Sequence, residues 1–536
     1  MDQQHLYLRQ NIQAEPLVDR WYAWTHLIPP ATASRNITER HLKIMESYID
    51  APDVHANAVR NPKMAGGPFI DYKGQRVPEI IQLRDHIREA RAKLFELSSA
   101  LKELDSLLKA KAKGLSLEPT YREVPGALRG YVELVYDLNQ HADFRLIEPL
   151  LYKSHYYDKS SQSLMLSLIQ GDDRPFVLST PRLNSARSLN LSIPFDDERI
   201  DFLFLLKHNP ETESRIRDAL GLSESQMDTL RLFLTTEPPP RYESYQGNGV
   251  RWRYFGHACI LVETKRVSML FDPVLSYTYE TNISRYTYLD LPEKIDYVLI
   301  THNHQDHVLF ETLLQLRSKI QNIVVPRNGG GNLQDPSLRL ILENIGFRNV
   351  RELSDMETID IESGRITGLP FLGEHSDLDI RTKLAYLVTL GEHKLLFAAD
   401  SCNIEPYLYQ HVHNQIGDID ALFLGMECDG APLNWLYGPL LFEPIPRAMN
   451  ESRRLAGSNY EQALDIVNQF KCRHVYVYAM GQEPWLNYVM SLKYTETSRP
   501  IVQSSRLLET CRSRGITAER LFGEKEILLE SLAARA

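Results

Sequence analysis

Between Pro78 and Gly114 the apolar residues Ile80, Leu83, Ile87, Ala90, Leu94, Leu97, Leu101, Leu104 and Leu108 recur in alternating steps of three and four. This is a heptad seam, opened by proline at a first-turn position and closed by glycine, and it predicts one long helix. Such a stripe packs either on its own domain or on a partner chain, and packing at home is the simpler reading. Farther on, SQSLMLSLI (161–169), RPFVLST (174–180) and SLNLSIPF (188–195) are short alternating runs suited to an antiparallel sheet. A helix is expected over Ser223–Thr235, with Ser223 and Gln226 at capping-box spacing. Three prolines, Pro238 to Pro240, and a glycine-bearing stretch then interrupt the pattern. Beyond them VRWRYFGHACILVET (250–264) alternates as a half-buried strand. The chain therefore divides into residues 1–240, of mixed α+β character, and residues 241–536.

The second part alternates strands and helices. Ile295–Thr301 reads as a buried strand, FETLLQLRSKI (310–320) as a helix, Lys383–Ala399 as a hairpin and His474–Ala479 as the last strand. An α/β fold follows.

Composition narrows the class. A chain of 536 residues with 43% hydrophobic and 24% charged residues is long enough for a large core and more than one domain. A net charge of -10 argues against a general nucleic-acid binder, which needs a basic face. The five cysteines form no CxxC pair and read as reduced thiols. No apolar run of about 18 residues predicts a membrane span. MDQQHLYLRQNIQAEP lacks the basic start and apolar run of a secretory signal, so a cytoplasmic protein is expected.

The candidate chemistry lies in the second part. The strand 295–301 delivers His302-Asn303-His304-Gln305-Asp306-His307 just before the helix. Residues two apart on an extended segment share a side, so His302 and His304 can chelate one metal. Asp306 and His307, where the chain turns into the helix, face a second. These ligands sit at the C-terminal edge of a sheet, where α/β proteins bind ligands.

This HxHxDH run at a strand end resembles the hallmark of the metallo-β-lactamase superfamily. Phe255-Gly256-His257-Ala258, the Leu270-Phe271-Asp272-Pro273-Val274 turn and the 383–399 hairpin ending in Asp400 extend the resemblance over roughly 240 residues. It implies an αββα sandwich in the C-terminal part, with Asp272 bracing the metal loop, Asp400 bridging two metals and His257 structural. Two departures carry chemical weight. The segment where hydrolases supply a middle histidine reads Gly373-Glu374-His375-Ser376-Asp377, and on an extended segment only one of Glu374 and His375 faces the metals. The last strand ends in Met480-Gly481-Gln482-Glu483 with no final histidine, which leaves an open position or a ligand from Glu427 or Glu483. Carboxylates in place of imidazoles harden the site and suit iron or manganese better than zinc.

THNHQDH (301–307), GEHSDLDI (373–380), FAADS (397–401) and the N-terminal domain together resemble the CmlA-type di-iron β-hydroxylases of nonribosomal peptide antibiotic biosynthesis, such as the chloramphenicol pathway. The resemblance implies metal ligands at His302, His304, Asp306, His307, Glu374 and Asp400, with Glu374 and Asp400 also catalytic. It implies two iron ions, dioxygen as co-substrate, and an amino acid hydroxylated at its β-carbon while held as a thioester on a nonribosomal peptide synthetase carrier domain. Glu374 would change its geometry to admit dioxygen once substrate is present. The N-terminal domain would mediate dimerisation and partner docking. No flavin, nicotinamide or iron–sulfur motif occurs, so an external reductase is expected as electron donor.

The alternative is a binuclear hydrolase, a thioesterase, lactonase or phosphodiesterase activating water. A non-catalytic scaffold is disfavoured by the intact ligand set. Trp435, Tyr437, Phe442, Trp485 and Tyr488 read as core or rim aromatics rather than as a substrate pocket. Arg447, Arg453 and Arg454 read as a solvated cluster rather than a carrier-docking patch.

Overall fold

The structure is a computed structural model that describes residues 4–530. The start of the N-terminal stretch, residues 1–3, and the last residues of the second domain, 531–536, lie outside it.

Two seven-stranded sheets stack face to face in the second part. One runs in the order Val350–Leu353, Ile320–Pro326, Ile295–Leu299, Ser268–Phe271, Cys259–Glu263, Val250–Gly256, Lys525–Leu529. The other runs Thr358–Ile361, Gly364–Leu369, Ala385–Leu390, His393–Phe397, Ala421–Gly425, His474–Tyr478, Thr517–Arg520. Both mix parallel and antiparallel pairs. Their facing sides bury Trp252, Phe271, Phe397, Phe423 and Tyr476, with the Phe271, Phe397 and Phe423 rings stacked at 3.8 and 4.7 Å. Helices Pro406–Ile416, Tyr460–Phe470 and Arg499–Ser513 cover the outer side of the second sheet. The outer side of the first shares one continuous apolar core with the N-terminal part. This is the expected αββα sandwich preceded by a mixed domain.

The N-terminal part holds a four-stranded antiparallel sheet, in the order Trp21–Tyr22, Ile12–Val18, Gln162–Leu168, Ser188–Leu191, packed with helices. His5–Leu8 pairs with Leu234–Thr235 and ties the start of the domain to its end.

The heptad seam is two helices rather than one, Val77–Ala90 and Ala92–Lys111, joined at Arg91 (φ -111°, ψ 24°). The break keeps the apolar phase, so the periodicity does not reveal it. Its reason is electrostatic: the Arg91 guanidinium turns inward onto both carboxylate oxygens of Asp19 (2.8–3.1 Å) and onto Asp158. Ile80, Leu83, Ile87, Leu94, Leu97, Leu101, Leu104 and Leu108 are buried in the domain's own core, while Ala90 is exposed. The seam is thus used at home.

Three other expectations are corrected. RPFVLST forms no strand, because Arg174 leaves for a buried ion network and Val177 bonds to the Tyr488 carbonyl instead (2.9 Å). The helix opened by the Ser223–Gln226 capping box stops at Arg231, since Leu234 and Thr235 are drawn into strand pairing. The run 250–264 is two strands folded at His257 (φ 51°).

All five cysteines are buried and free. No helix among the described residues is long and apolar enough to cross a membrane.

Candidate metal centre

Four loops meet at one edge of the two sheets. Strand Ile295–Leu299 delivers the histidine-rich loop, Gly364–Leu369 leads to Glu374, His393–Phe397 to Asp400, and Ala421–Gly425 to Glu427. Parallel neighbours place strand ends side by side, so residues far apart in sequence converge.

Asp272, fully buried in the turn after Ser268–Phe271, organises the histidine loop. It accepts from the Thr301 amide (2.7 Å), the Thr301 hydroxyl (2.6 Å) and His307 Nδ1 (2.8 Å). A carboxylate on Nδ1 keeps the proton there and leaves Nε2 as the free lone pair. That Nε2 points at Asp400 Oδ2, 3.1 Å away, and lies 3.6 Å from Asp306 Oδ2. His302 holds Nδ1 against the Thr301 hydroxyl (3.0 Å) and turns Nε2 inward, 3.7 Å from both Glu374 Oε2 and Asp400 Oδ2. His304 is reversed: Nε2 meets the Tyr437 hydroxyl (3.0 Å), and Nδ1 meets Glu374 Oε1 (2.9 Å).

His257 sits behind this array. The Gly481 amide can only donate, so His257 Nδ1 accepts from it (3.3 Å) and Nε2–H donates to Asp306 Oδ2 (2.9 Å). Both ring nitrogens are engaged, and the residue orients Asp306. Gly425 completes the cradle, since a Cβ there would meet Asp400 Oδ1 at 2.2 Å.

The ligand atoms fall into overlapping groups, each within 4.8 Å: His302, His304 and Glu374; His302, His307 and Asp400; His257, Asp306 and His307. His302 Nε2, Glu374 Oε2 and Asp400 Oδ1 are buried without a hydrogen-bond partner. Orphaned acceptors at this density are costly unless a cation meets them. Burial pushes the Glu374 carboxyl up to about 7 against the pull of His304. Burial and the nearby Asp400 and Asp306 raise Glu427 well above its ordinary range. Asp306 goes the other way, because His307 and His257 outweigh its burial. Crowded carboxylates and inward-facing imidazoles fit two bound metal ions.

The six residues expected as ligands are brought together. The expectation that only one of Glu374 and His375 faces the metals fails, however, because the segment is not extended: Glu374, Ser376 and Asp377 all have left-handed backbone (φ 68°, 55° and 55°). Both side chains reach the cluster. His375 packs 4.5 Å from the His304 ring, with Nδ1 3.2 Å from Glu374 Oε2, and belongs to none of the three groups. Of the two further carboxylates, Glu427 lines the chamber, and Glu483 is tied to the Tyr254 hydroxyl.

That chamber has a volume of about 280 Å³ and runs from Glu374, Asp400 and Glu427 to apolar walls at Trp435, Leu436 and Met490. Tyr437, read from sequence as a core or rim aromatic, is buried (2% exposed) yet bonds to His304. Tyr488 and Trp485 are buried beneath the Arg174 and Arg285 guanidinia, in keeping with that reading. The three arginines are not one solvated cluster: Arg447 is exposed and paired with Glu451, Arg453 holds the Ser376 carbonyl (2.8 Å), and Arg454 lines the chamber. Sequence reasoning missed Thr301, Gly425 and the role of Tyr437, which no local spacing signals.

Residues 7–238 match the diiron non-heme beta-hydroxylase N-terminal domain family, and residues 268–444 match the beta-lactamase superfamily domain. The chain is 41% identical, over 97% of its length and 99% of the relative's, to 4-amino-L-phenylalanyl-[CmlP-peptidyl-carrier-protein] 3-hydroxylase of Streptomyces venezuelae. It superposes with a TM-score of 0.92, at 40% identity, on the crystal structure of CmlA, a diiron beta-hydroxylase from Streptomyces venezuelae, covering 98% of this chain and 100% of that one. A UPF0173 protein of Pyrococcus abyssi is 28% identical over 32% of this chain and 67% of its own.

Proposed function

The chain belongs to the diiron non-heme β-hydroxylase family, and we propose on that footing that it hydroxylates the β-carbon of an aminoacyl group held as a thioester on a peptidyl-carrier protein. The enzyme is a diiron hydroxylase built on a metallo-β-lactamase-type domain. Iron bound at the centre supplies the reductive activation of dioxygen. The carrier belongs to a nonribosomal peptide synthetase, an external reductase supplies the electron pair, and the working unit is a homodimer. The relative's 4-amino-phenylalanyl group is the first substrate to assay. Residues 1–240 serve docking and dimerisation, and residues 241–536 catalysis.

The ligand set is His302, His304, Asp306, His307, Glu374 and Asp400. The observation that carries it is the convergence of His302 Nε2, Glu374 Oε2 and Asp400 Oδ1, buried and unpartnered, between groups that share His302 and His307. Each residue has a distinct task. Asp272 holds the His307 proton on Nδ1, so Nε2 is the donor atom. With Nδ1 turned to the metal site, His304 keeps its proton on Nε2 and donates it in a hydrogen bond to the Tyr437 hydroxyl, so Nδ1 is the donor atom. His257 fixes Asp306, and Asp400 lies between the His302 and His307 nitrogens, where it would help hold both metal ions. Glu374 faces both His304 and the chamber, which suits a carboxylate that moves when substrate enters. The apolar chamber wall sets the aminoacyl group beside these atoms and keeps water out.

The test is to load the purified protein with ferrous iron without oxygen, reduce it, and add oxygen with an aminoacyl-loaded carrier. About two iron per chain and a carrier-bound product heavier by one oxygen atom are expected. Free amino acid should be left unchanged. Equal oxidation of the free amino acid, or thioester cleavage without oxygen uptake, would sink the proposal.

A further inference from the structure

The chamber has a larger neighbour. A cleft of about 720 Å³ opens along the seam between the N-terminal domain and residues 432–445, within the size range of small-molecule sites. The two cavities share Gly66, Pro432 and Trp435 in their walls. Trp435 is the partition between them: its indole N–H donates to the Gly66 carbonyl (3.0 Å) and its ring stacks on Phe176 (6.1 Å, 26°).

The cleft is basic in a chain of net charge -10. Its walls carry Arg35, Arg40, Lys43 and Lys102 against Glu39 and Glu443, and Glu443 is already paired with Lys109. The cations are graded from inside outward. Arg40 is buried (9% exposed) with no carboxylate partner: one nitrogen bonds to the carbonyls of Trp435 and Leu436 (2.7 and 3.0 Å), and Nη1 has no partner. Lys43 and Lys102 are exposed at the rim, Lys43 sharing Glu39 with Arg35. A buried guanidinium with no countercharge and one unpartnered nitrogen, together with the rim lysines, gives the cleft a positive field suited to an anion whose remainder is neutral.

We propose that this cleft seats the 4′-phosphopantetheine arm of the carrier protein, with Lys43 and Lys102 receiving its phosphodiester at the rim and Trp435 marking where its thioester end passes into the metal chamber. The inference rests on the carrier-bound substrate argued above. It explains why the metal chamber is backed, across Trp435, by a second and larger cavity. It also explains why the cleft's cations lie on the N-terminal helices, whereas carboxylates dominate the charged lining of the metal chamber. An arm of this kind has one anionic end, an amide-rich neutral middle and a thin profile, which matches a cleft with a basic mouth whose inner wall is Trp435.

The iron-loaded protein is titrated with 4′-phosphopantetheine and, separately, with pantetheine, following heat or Trp fluorescence. Wild type should bind the phosphorylated compound about tenfold tighter, equivalent to about 1.4 kcal/mol. Lys43→Ala with Lys102→Ala should abolish that preference without changing pantetheine binding or iron content; both lysines are exposed, so folding is unaffected. With the loaded carrier, the same variant should raise KM about tenfold and leave kcat unchanged. Equal binding of the two compounds by wild type, or an unaltered preference and KM in the variant, would overturn the cleft assignment while leaving carrier-bound hydroxylation intact. Retained phosphate preference in a protein that hydroxylates no loaded carrier would keep the arm site and overturn the proposed function instead.

Discussion

The two cavities that meet at Trp435 carry opposite charge, and they hold it by opposite means. The metal chamber places Asp306, Glu374, Asp400 and Glu427 around one space, fixed by strand ends and by buried partners such as Asp272 and Tyr437. The cleft beside it gathers cations on helices of the other domain, two of them on the exposed rim. A metal ion is held by lone pairs aimed to within tenths of an ångström, so its ligands must be rigid and supported from behind. A flexible anionic arm needs only a field and a passage. The difference teaches that the net charge of a chain says little about its cavities, and that precision is confined to where chemistry demands it.

Substitutions sharpen this contrast. The largest effect should come from His307→Ala, which removes an atom that faces both Asp306 and Asp400. Hydroxylation should be undetectable and the iron content well below wild type by elemental analysis, and near-normal iron would show that the centre is held without it. Next is the joint between the domains. Arg174 is buried between Glu15 and Glu311 (2.8 Å each), and Tyr22 and Tyr277 also donate to Glu311, four residues beyond His307. Arg174→Met leaves two buried carboxylates short of a countercharge and should lower unfolding free energy by about 3–5 kcal/mol in urea titrations. A loss below about 1 kcal/mol, the scale of an exposed pair, would mean that this network does not couple the two halves.

Asp272→Asn should then reduce iron affinity or turnover by roughly 10–100-fold, as second-layer partners of metal-bound histidines do. Competition with a chelator measures it, and unchanged affinity would remove Asp272 from the argument. The smallest effect is expected from His375→Gln, because His375 packs on the cluster but joins none of the ligand groups. Its iron content should equal wild type; loss of one iron per chain would make His375 a ligand and revive the hydrolase-like reading of the GEHSD segment.

Particular residues show where sequence reasoning reached and where it stopped. The HNHQDH run was legible because its ligands are contiguous and follow an apolar strand, so local geometry nearly sets their grouping. Asp400 after its hairpin and Asp272 in its turn were legible only through the family resemblance, because an aspartate at a strand end or in a turn carries no metal signal of its own. That both Glu374 and His375 reach the cluster was not legible, because alternation was assumed where the backbone turns left-handed. The Arg91 break was hidden because a heptad count registers apolar phase and not the pull of Asp19 and Asp158 on a guanidinium.

The amino-acid sequence by itself determined the α/β class, the break at the prolines and the grouping of His302, His304, Asp306 and His307, since these follow from periodicity and short spacing, while the αββα sandwich and the places of Glu374 and Asp400 came through the family resemblance. Only the tertiary structure decided which nitrogen of each histidine faces inward, that Tyr437 supports His304 across 133 residues, that Glu427 rather than Glu483 lines the chamber, and that Arg40 and Trp435 share a wall. Those are contacts between distant segments, fixed by how two sheets and a second domain pack together, and no local pattern of residues encodes that packing.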